Sequence, residues 1–501
     1  MDAAAAGEGG EAGPATCDDA GSSAFASSDG IAANVTRVLA FARHGDGVSL
    51  ASWHRGERPG GATRGAGPRP VAGAIAALVG PVIARALAEA VLRDVIAACD
   101  PGARVRDALA EPAIAARLAG RRRFAIAIGK AALAMARGAG EVAAGLAVVP
   151  HGTAGELPCG WRLLEAAHPV PDEHSVAAGR ALDGLVRRAG ESDVVLALVS
   201  GGASALAELP VIALDELVAT IRGVMAAGAP IEQINVVRGA LSAIKAGQLA
   251  LATAAPVVTL AVSDVIGDPL AVIGSGPTVG PWLASPGAAI DDGAAARREQ
   301  ARAILARLGV PVPAVLAGAA AVGPGARLIV RDDHARVIAP MASAARAAVQ
   351  ALAARGVAAR LVEAPISGAV PAVADLLVAA RDAAAAPIVA WGEPTLPVPA
   401  EHGEGGRAQQ LALELARRLR GSERMAFVVG TDGVDGPPPA GRPAPAGAWV
   451  DGATWDAIAA AGHDPGAALA RCDAGTALAA VGALVVTGPS GINHADLAIL
   501  G

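Results

Sequence analysis

The feature that most constrains the fold is the fully apolar run Val194–Val199, which stops abruptly at a turn of small residues from Ser200 to Ser204. Six apolar residues in a row, several of them valines, favour a strand that is buried on both faces. The sequence "ALAEL" that follows can begin a helix. Glycines in such a turn let backbone N–H groups approach an anion at the positive end of the helix. The stretch predicts either an anion-binding loop or an ordinary strand-to-helix turn within an α/β domain.

The same order of strand, glycine turn and helix recurs along the chain. Phe124–Ile128 is predicted as a strand, Gly129 and Lys130 as a turn, and Ala131–Arg137 as a helix. Further buried strands are predicted at Val257–Val262, Leu328–Val330, Ile388–Trp391, Ala426–Val429 and Leu484–Val486. Strands that alternate with helices indicate βαβ units. The predicted fold class is therefore α/β, with two Rossmann-like domains, largely parallel sheets and an inter-domain cleft at the carboxyl ends of the strands.

Composition divides the chain into three parts. Residues 1–82 are rich in Ala, Gly, Ser and Pro without a sustained period, and predict a disordered or poorly packed extension. A stretch rich in Ala, Gly and Pro around residues 317–330 predicts a boundary between an N-terminal domain, 83–325, and a C-terminal domain, 326–501. In the second domain, the glycine-rich loop Val398–Arg407 is expected to face a site.

Charge and cysteine usage exclude several classes of protein. A net charge of −6 argues against a nucleic-acid-binding protein, which usually has a basic face. The four cysteines lie far apart without a C-x-x-C pair, so neither a zinc site nor a disulfide framework is predicted. The acidic N-terminus and the interrupted apolar run Val71–Ala84 predict neither a signal peptide nor a membrane span, and the cytoplasm is the expected compartment. The oligomeric state stays open, with a homodimer as one alternative.

Charged residues follow several of the predicted strands. Lys130 lies where a helix begins and can meet an anion, whereas Asp264 and Asp268 offer the oxygen ligands that Mg²⁺ prefers. Arg407 begins an amphipathic helix and can bind a carboxylate or a phosphate bidentately. A solvated lysine, a turn aspartate and a surface arginine are the structural alternatives. Several such loops at strand ends favour a shared anion site.

Two common nucleotide motifs are absent from the sequence. No G-x-G-x-x-G follows any of these strands, and there is no Walker A sequence, which argues against a nicotinamide enzyme and a P-loop protein.

His168 precedes a proline and has no second histidine at a zinc-ligand spacing, so we expect it to be structural or to line a ligand pocket.

The chain from about Ala84 to Gly501 resembles the class II glycerate 2-kinase family, whose C-terminal domain is called MOFRL. The motifs that carry the resemblance, in the family's order, are "AIGKAALAMA", "AAHPVPDEHSVAAGR", "LVSGGASAL", "VVRGALSAIKAGQLA", "SDVIGDPLAVIGSGPTV", "GGRAQQLAL", "GTDGVDGP" and "TGPSGINHADL". The resemblance implies ATP-dependent phosphorylation of the 2-hydroxyl of D-glycerate, with Mg²⁺, in a cleft between the two domains. ATP and a small hydroxy acid are the implied partners, with no nucleic acid and no membrane.

The resemblance also implies roles for individual residues. The expected catalytic residues are Lys130, Asp264 and Arg407, and Asp264 is also the expected metal ligand. The expected nucleotide or phosphate contacts are Ser200, Gly201, Gly202, Ser204, Ser275 and Gly276. The expected substrate or second-domain cleft residues are Arg238, Asp268, Thr431, Asp432, Asp435 and Asn493.

The chain departs from the family pattern in several motifs, among them Ala203 where the family has a third glycine and Ala408 after the motif arginine. The family usually has Arg-Lys-His before Leu-Ser, whereas this chain has Arg238, Gly239 and Ala240. A second hypothesis is therefore a non-catalytic or altered-substrate homologue that keeps a nucleotide- or anion-binding cleft. Hydroxypyruvate reductase, a label attached to some relatives, is a third, and the missing dinucleotide fingerprint predicts no such activity.

Overall fold

The computed structural model describes residues 81–291, 293–317, 328–437 and 441–501. The strands are β1 (Arg123–Ile128), β2 (Ala144–Pro150), β3 (Trp161–Ala166), β4 (Val194–Val199), β5 (Val257–Val262), β6 (Ile290–Asp291), β7 (Leu328–Ile329), β8 (His334–Ala339), β9 (Arg360–Leu361), β10 (Ile366–Ala369), β11 (Ile388–Thr395), β12 (Met425–Gly430), β13 (Gly447–Asp451), β14 (Leu484–Val485) and β15 (Asp496–Leu500). The helices are α1 (Pro81–Ala98), α2 (Pro101–Ala110), α3 (Pro112–Leu118), α4 (Ala132–Ala139), α5 (Glu173–Val186), α6 (Ala203–Leu206), α7 (Leu214–Ala226), α8 (Ile231–Leu241), α9 (Gln248–Leu251), α10 (Ala294–Leu308), α11 (Ala314–Ala317), α12 (Ser343–Ala353), α13 (Val370–Asp382), α14 (Arg407–Leu419), α15 (Thr454–Ala460), α16 (Pro465–Ala470) and α17 (Ala474–Ala480).

The first sheet has the strand order β3-β2-β1-β4-β5-β8, and every neighbouring pair in it is parallel. Phe124 and Ile126 pack into one hydrophobic core, and Ala125 and Ala127 pack into another. Because successive side chains of a strand point to opposite faces, both faces of β1 are covered by protein. The order reverses between β1 and β4, and the crevice at such a reversal is where sheets of this kind bind ligands.

The second sheet has the order β10-β11-β15-β12-β13-β14, with β9 also paired to β11. Only the pairs of β11 with β9 and β10 are parallel, whereas β15 runs antiparallel to both β11 and β12. The α/β fold class is confirmed, but the prediction of largely parallel sheets is correct for the first sheet only. The second sheet is mixed because β15 enters between two strands that run parallel to each other.

The predicted division at residue 325 does not separate the two sheets. Strand β8 lies beyond that position, yet it forms the last strand of the first sheet by pairing with β5. Helix α1, at the start of the described chain, packs with α12 against the second sheet, where Val91 and Val95 share a core with Phe427. Chain crossings of this kind leave no composition signal, because each segment is apolar enough for either core.

The predicted N-terminal extension lies outside the described residues except for its last two, which begin α1. Most of the stretch at 317–330 is outside them as well. No described helix combines the length and the apolar character that crossing a membrane would require.

Candidate active site

The turns that follow β1, β4 and β5 converge at the point where the first sheet reverses its strand order. The backbone N–H of Lys130 donates to the Gly201 carbonyl at 2.9 Å, which joins two of these turns. A side chain on Gly201 would overlap the Asp264 carboxylate and would lie 2.7 Å from the Asn493 amide nitrogen. Only glycine lets the three turns approach so closely. The close approach of the three turns is therefore set by packing around Gly201, and it leaves Lys130 and Asp264 at one edge.

The second sheet presents an acidic edge. Gly392 of β11 and Gly430 of β12 both pair with Asp496 at the start of β15. Because β11 and β12 are parallel, their carboxyl ends lie on either side of Asp496. The cavity at this edge, which we call the cleft, has a volume of about 660 Å³. Its charged and polar lining residues include Glu393, Arg407, Asp432, Asp435, Asn493 and Asp496.

The two edges meet through two polar contacts. The Lys130 ammonium group donates to the Asp432 carboxylate over 3.4 Å, and both side chains are about one-third exposed. The Asn493 amide donates to Asp264 Oδ2 over 3.4 Å. Lys130, Asp264, Asp432 and Asn493, which the sequence predicted as site residues, therefore lie together where the loops of the two sheets meet.

Arg407 lies in the cleft and is already paired with two carboxylates. Its Nε donates to Asp496 Oδ2 at 2.7 Å, and its Nη1 donates to Glu393 Oε1 at 2.6 Å. Burial by itself would lower the pKa of Arg407, but the two carboxylates raise it above its ordinary value. Burial raises the pKa of Asp496, and the guanidinium opposes that shift. Arg407 therefore stays charged, and part of its charge is offset before any substrate binds.

Asp264 has the electrostatic setting of a proton acceptor. Burial raises the pKa of its carboxyl, and the negative charge of Glu393 raises it further, whereas a backbone hydrogen bond and Lys130 act in the opposite direction. A carboxylate with a raised pKa binds a proton more readily than an exposed one, which suits general-base chemistry.

Two of the predicted cleft residues have structural contacts. Asp435 is buried and accepts hydrogen bonds from the backbone N–H groups of Ala408 and Gln409, so it caps helix α14. Thr431 donates its hydroxyl to the Ala495 carbonyl at 2.7 Å and accepts from the backbone N–H of His494 at 2.8 Å. These two side chains shape the loops of the cleft from within.

Several predicted phosphate contacts are likewise engaged with protein groups. The Ser200 hydroxyl is buried and accepts from the backbone N–H of Ala131 at 3.1 Å. The Ser204 and Ser275 hydroxyls are 2.7 Å apart, and Ser275 donates to Asn235 at 2.8 Å. Gly276 is buried, and its carbonyl accepts from the backbone of the α9 turn. Gly201 and Gly202, with their backbone close to Lys130, are the members of the predicted set that lie nearest to the charged groups.

A second cavity, which we call the apolar pocket, lies beside Gly202 and has a volume of about 360 Å³. Its lining includes His168, Pro169, Gly202, Leu217, Ile221, Arg222, Glu208 and Arg238. Burial lowers the pKa of the Arg238 guanidinium, and the Glu208 carboxylate opposes that shift. Partial desolvation and the nearby charge of Lys130 lower the pKa of His168. His168 and the predicted residue Arg238 thus both line this pocket.

A buried ion pair supports the turn that follows β4. The Lys245 ammonium group lies 3.2 Å from Glu208 Oε2, and it donates to the Ser204 and Ala207 carbonyls at 2.9 and 2.8 Å. Both side chains of the pair are almost fully buried. Because a buried ammonium group needs several acceptors, this pair fixes the C-terminal end of α6.

Asp268 connects the β5 loop to the start of α12. It accepts a hydrogen bond from the backbone N–H of Met341 at 2.9 Å and has a positive φ of 54°. This contact joins the loop to the segment that leads from the first sheet to the second.

The sequence did not predict four of the residues that shape the site: Glu393, Asp496, Glu208 and Lys245. Glu393 and Asp496 lie in strands or next to a strand end, where charged residues in an otherwise apolar run are a signal that could have found them. Glu208 and Lys245 are far apart in sequence, and only the fold brings them together.

Comparison with known proteins gives the family of the chain. Residues 87–310 match a family described as a domain of unknown function, DUF4147, and residues 386–496 match the MOFRL family. D-glycerate 2-kinase of Thermotoga maritima is 34% identical over 392 residues, which cover 75% of this chain and 89% of that protein. The chain belongs to the class II glycerate kinase family. The predicted family is thereby confirmed.

Other relatives show how the family is named and folded. A protein of Agrobacterium vitis, named provisionally as a hydroxypyruvate reductase, is 35% identical over 394 residues, which cover 74% of this chain and 97% of that protein. The crystal structure of glycerate kinase from Thermotoga maritima superposes with a TM-score of 0.71 at 31% identity, covering 84% of this chain and 99% of that one. The class II glycerate kinase fold therefore extends over most of the described chain.

Proposed function

We propose that this class II glycerate kinase family member transfers the γ-phosphoryl group of ATP to the 2-hydroxyl of D-glycerate, giving 2-phosphoglycerate and ADP. The observation that carries the proposal is the 3.4 Å contact between Lys130 and Asp432, because it joins a glycine-rich edge suited to phosphate with an acidic edge that holds Arg407. The kinase names of relatives in Thermotoga and Pyrococcus support it. Fold alone would not, since one fold serves many chemistries.

The two cavities divide the substrates. The apolar pocket has the walls that a nucleoside base requires, with Leu217 and Ile221 on one side and Pro169 nearby. It opens beside Gly202, so a triphosphate that extends from it reaches the Gly201–Gly202 backbone and Lys130. The cleft is left for the small hydroxy acid.

Arg407 is the group that binds the carboxylate of the acid. An arginine has five N–H donors, and three hydrogen bonds to Asp496 and Glu393 are formed in this structure. Two donors therefore remain for a substrate carboxylate. Asp496 holds the guanidinium in place, as expected of a buried partner.

Transfer requires that the 2-hydroxyl oxygen attack the γ-phosphorus while the bond to the ADP oxygen breaks. Asp264 accepts the hydroxyl proton with one carboxylate oxygen, and Lys130 neutralises charge on the transferring group. Phosphoryl transfer depends largely on the positioning of the reactants and on electrostatic stabilisation. These few groups supply both kinds of contribution.

The residues present also fit a magnesium ion. Mg²⁺ is usually held by one or two carboxylates together with substrate phosphates, and Asp264 is the half-buried carboxylate closest to the phosphate edge. Asp264 would hold the ion with its second oxygen, and the ion would neutralise phosphate charge. No set of three acidic or histidine side chains in the described cleft lies within ligand distance, so phosphates would complete the coordination.

The departure at Gly239 favours a second candidate, a homologue that binds nucleotide without turnover. A Cβ atom added at Gly239 would lie 2.8 Å from Ala246 Cβ and 3.0 Å from Arg297 Cδ, so the lysine usual in the family would require these neighbours to shift. Protein atoms already pack around Gly239. If the lysine of other family members contributes to catalysis, this chain must use another group or lack that contribution.

One assay separates the candidates. ADP release is measured by a coupled assay with D-glycerate and Mg-ATP, and the position of the phosphate on the product is read by ³¹P NMR. We expect turnover and a 2-phosphate. Nucleotide binding without turnover would support the second candidate. Oxidation of NADH with hydroxypyruvate would show that the name given to the Agrobacterium relative describes this chain better.

A further inference from the structure

A cluster of two histidines and an aspartate lies outside the cleft. His151 directly follows β2, Asp172 precedes α5, and His174 is the second residue of that helix. One ligand atom from each lies within 4.8 Å of the others. Among the described residues, this is the one group of three histidine, cysteine or acidic side chains placed in that way.

The two oxygens of Asp172 make different contacts. Oδ1 accepts from the backbone N–H of Ser175 at 2.9 Å and from the Ser175 hydroxyl at 3.0 Å, which caps α5. Oδ2 instead faces His151 Nε2 at 3.2 Å and His174 Nδ1 at 3.0 Å. The helix cap therefore fixes the carboxylate so that Oδ2 lies between two imidazole nitrogens.

These spacings suit a tetrahedral metal ion. Nitrogen and oxygen ligands at ~2.0–2.2 Å from zinc lie roughly 3.3 Å from one another. The distances from Asp172 Oδ2 to the two nitrogens are close to that value, at 3.2 and 3.0 Å. The two rings are perpendicular, with centroids 5.0 Å apart, so their nitrogens can reach one point without stacking.

A second carboxylate, that of Glu165, lies near His151. The Nδ1 atom of His151 is 3.9 Å from Glu165 Oε2, and that oxygen accepts from the backbone N–H of Gly152 at 2.7 Å. At this distance Glu165 does not form a hydrogen bond with the imidazole, but it adds negative charge on the side of His151 away from Asp172, which favours a bound cation. The His174 side chain is 69% exposed, so an ion can reach the cluster from solvent.

We propose that His151, Asp172 and His174 bind one transition-metal dication of the Zn²⁺ class, with a fourth position open to water or an anion. Two imidazoles and one carboxylate favour such ions over Mg²⁺, which prefers oxygen ligands. Asp172 directly follows the segment 167–171, whose His168 and Pro169 line the apolar pocket. A bound ion would join the end of β2 to the start of α5, next to this segment, whatever reaction the cleft performs.

The test uses the full chain, purified without a histidine tag and treated with EDTA. Calorimetric titration with Zn²⁺ should show one saturable site, and Co²⁺ should give the visible spectrum of a four-coordinate ion. His174→Ala should weaken Zn²⁺ binding at least tenfold. His151→Gln should do the same, and it serves as the second variant if His174→Ala folds poorly.

The matched control is His463→Ala, which removes an exposed histidine from a loop remote in sequence. It should leave Zn²⁺ affinity unchanged. The proposal is overturned if the wild-type chain has no saturable site, or if folded His174→Ala and His151→Gln bind Zn²⁺ as tightly as the wild type and His463→Ala.

Discussion

The ligand-facing edges of the two sheets differ although their sequences look alike. Both have short glycine-rich loops with charged residues after strands. In the first sheet the glycines make the close approach, and Lys130 and Asp264 extend from turns packed around Gly201. In the second sheet the carboxylates do much of the structural work, since Asp435 caps a helix and Asp496 holds Arg407.

The difference shows that the composition of a loop does not indicate which of its polar groups lack protein hydrogen-bond partners and can contact a substrate. An acidic residue after a strand can be partly exposed to solvent, as Asp432 is. It can instead be buried and accept hydrogen bonds from backbone N–H groups, as Asp435 does. We expect substitutions on the first edge to change rate and substitutions on the second to divide between rate and stability.

The largest expected effect is that of Lys130→Ala. Removing a cation that stabilises the transferring phosphoryl group should lower kcat by about 10³-fold, as loss of a single electrostatic donor typically does. Stability should be near wild type, because the side chain is 36% exposed and its ion pair is weak. Steady-state kinetics and urea unfolding measure the two properties. Arg137→Ala, an exposed cation on α4, is the control that should keep full activity, and equal activity of both variants would remove Lys130 from the mechanism.

The next effect separates two neighbouring aspartates. Asp435→Ala should lower the free energy of unfolding by about 3 kcal/mol, because buried backbone donors lose their acceptor and a helix loses its cap. Asp432→Ala should cost less than about 1 kcal/mol, because its partner Lys130 is partly exposed. Urea unfolding curves for both variants test this. Equal losses would mean that the two acidic groups do not divide as the structure indicates.

Gly201→Ala tests the packing of the first edge. The added methyl group would push against Asp264 and Asn493, and a displacement of this size should lower kcat/KM by about 10²-fold. Gly184→Ala is the matched control, since it lies in α5 with nothing within 4 Å of the added atom. That control should keep its activity and gain up to ~1 kcal/mol of stability. Unchanged kcat/KM in Gly201→Ala would show that the turns are not fitted to each other.

The smallest expected effect is a pH dependence of stability from His494, in the loop that joins β14 to β15. Burial, aided by the Arg104 charge, lowers the pKa of this imidazole to about 4, while Asp268 and the Pro340 carbonyl oppose the shift. Below its ordinary value of 6.5 the unfolded chain binds a proton that the native state does not. The unfolding free energy should therefore fall by about 2 kcal/mol between pH 7 and pH 5.

That loss should be largely absent in His494→Leu, which keeps a side chain of similar size. Denaturant unfolding at several pH values, compared between the wild type and this variant, provides the measurement. Parallel pH profiles for the two proteins would assign the dependence to other groups.

Much of the first sheet was predictable, because its strands are buried on both faces and read as unbroken apolar runs at Val194–Val199 and Val257–Val262. β2, β3 and β8 were missed. β3 and β8 have residues that are only partly buried and include Arg162 and His334, whereas β2 is buried and apolar and was overlooked. The mixed order of the second sheet was also missed. Whether a strand is parallel or antiparallel depends on the strand it pairs with, and the residues of the strand do not indicate that partner.

The candidate site follows the same rule. Lys130, Asp264 and Arg407 were predicted because each lies at a strand end or helix start within a recognisable motif. The structure places Lys130 and Asp264 where the two edges meet and Arg407 in the cleft beside them. Their catalytic roles remain predictions. Ser275 and Gly276 sit in an equally recognisable motif, yet their groups are taken up by protein contacts.

The sequence by itself determined the α/β class, the family and the set of loops from which a site is built, because apolar runs, glycine turns and ordered motifs are local properties. Only the tertiary structure decided which polar groups in those loops are left available. It also brought His151 to His174, which no ligand spacing in the sequence indicated. Hydrogen-bond partners and ion pairs join residues distant in the chain, and those pairings exist only once the chain has folded.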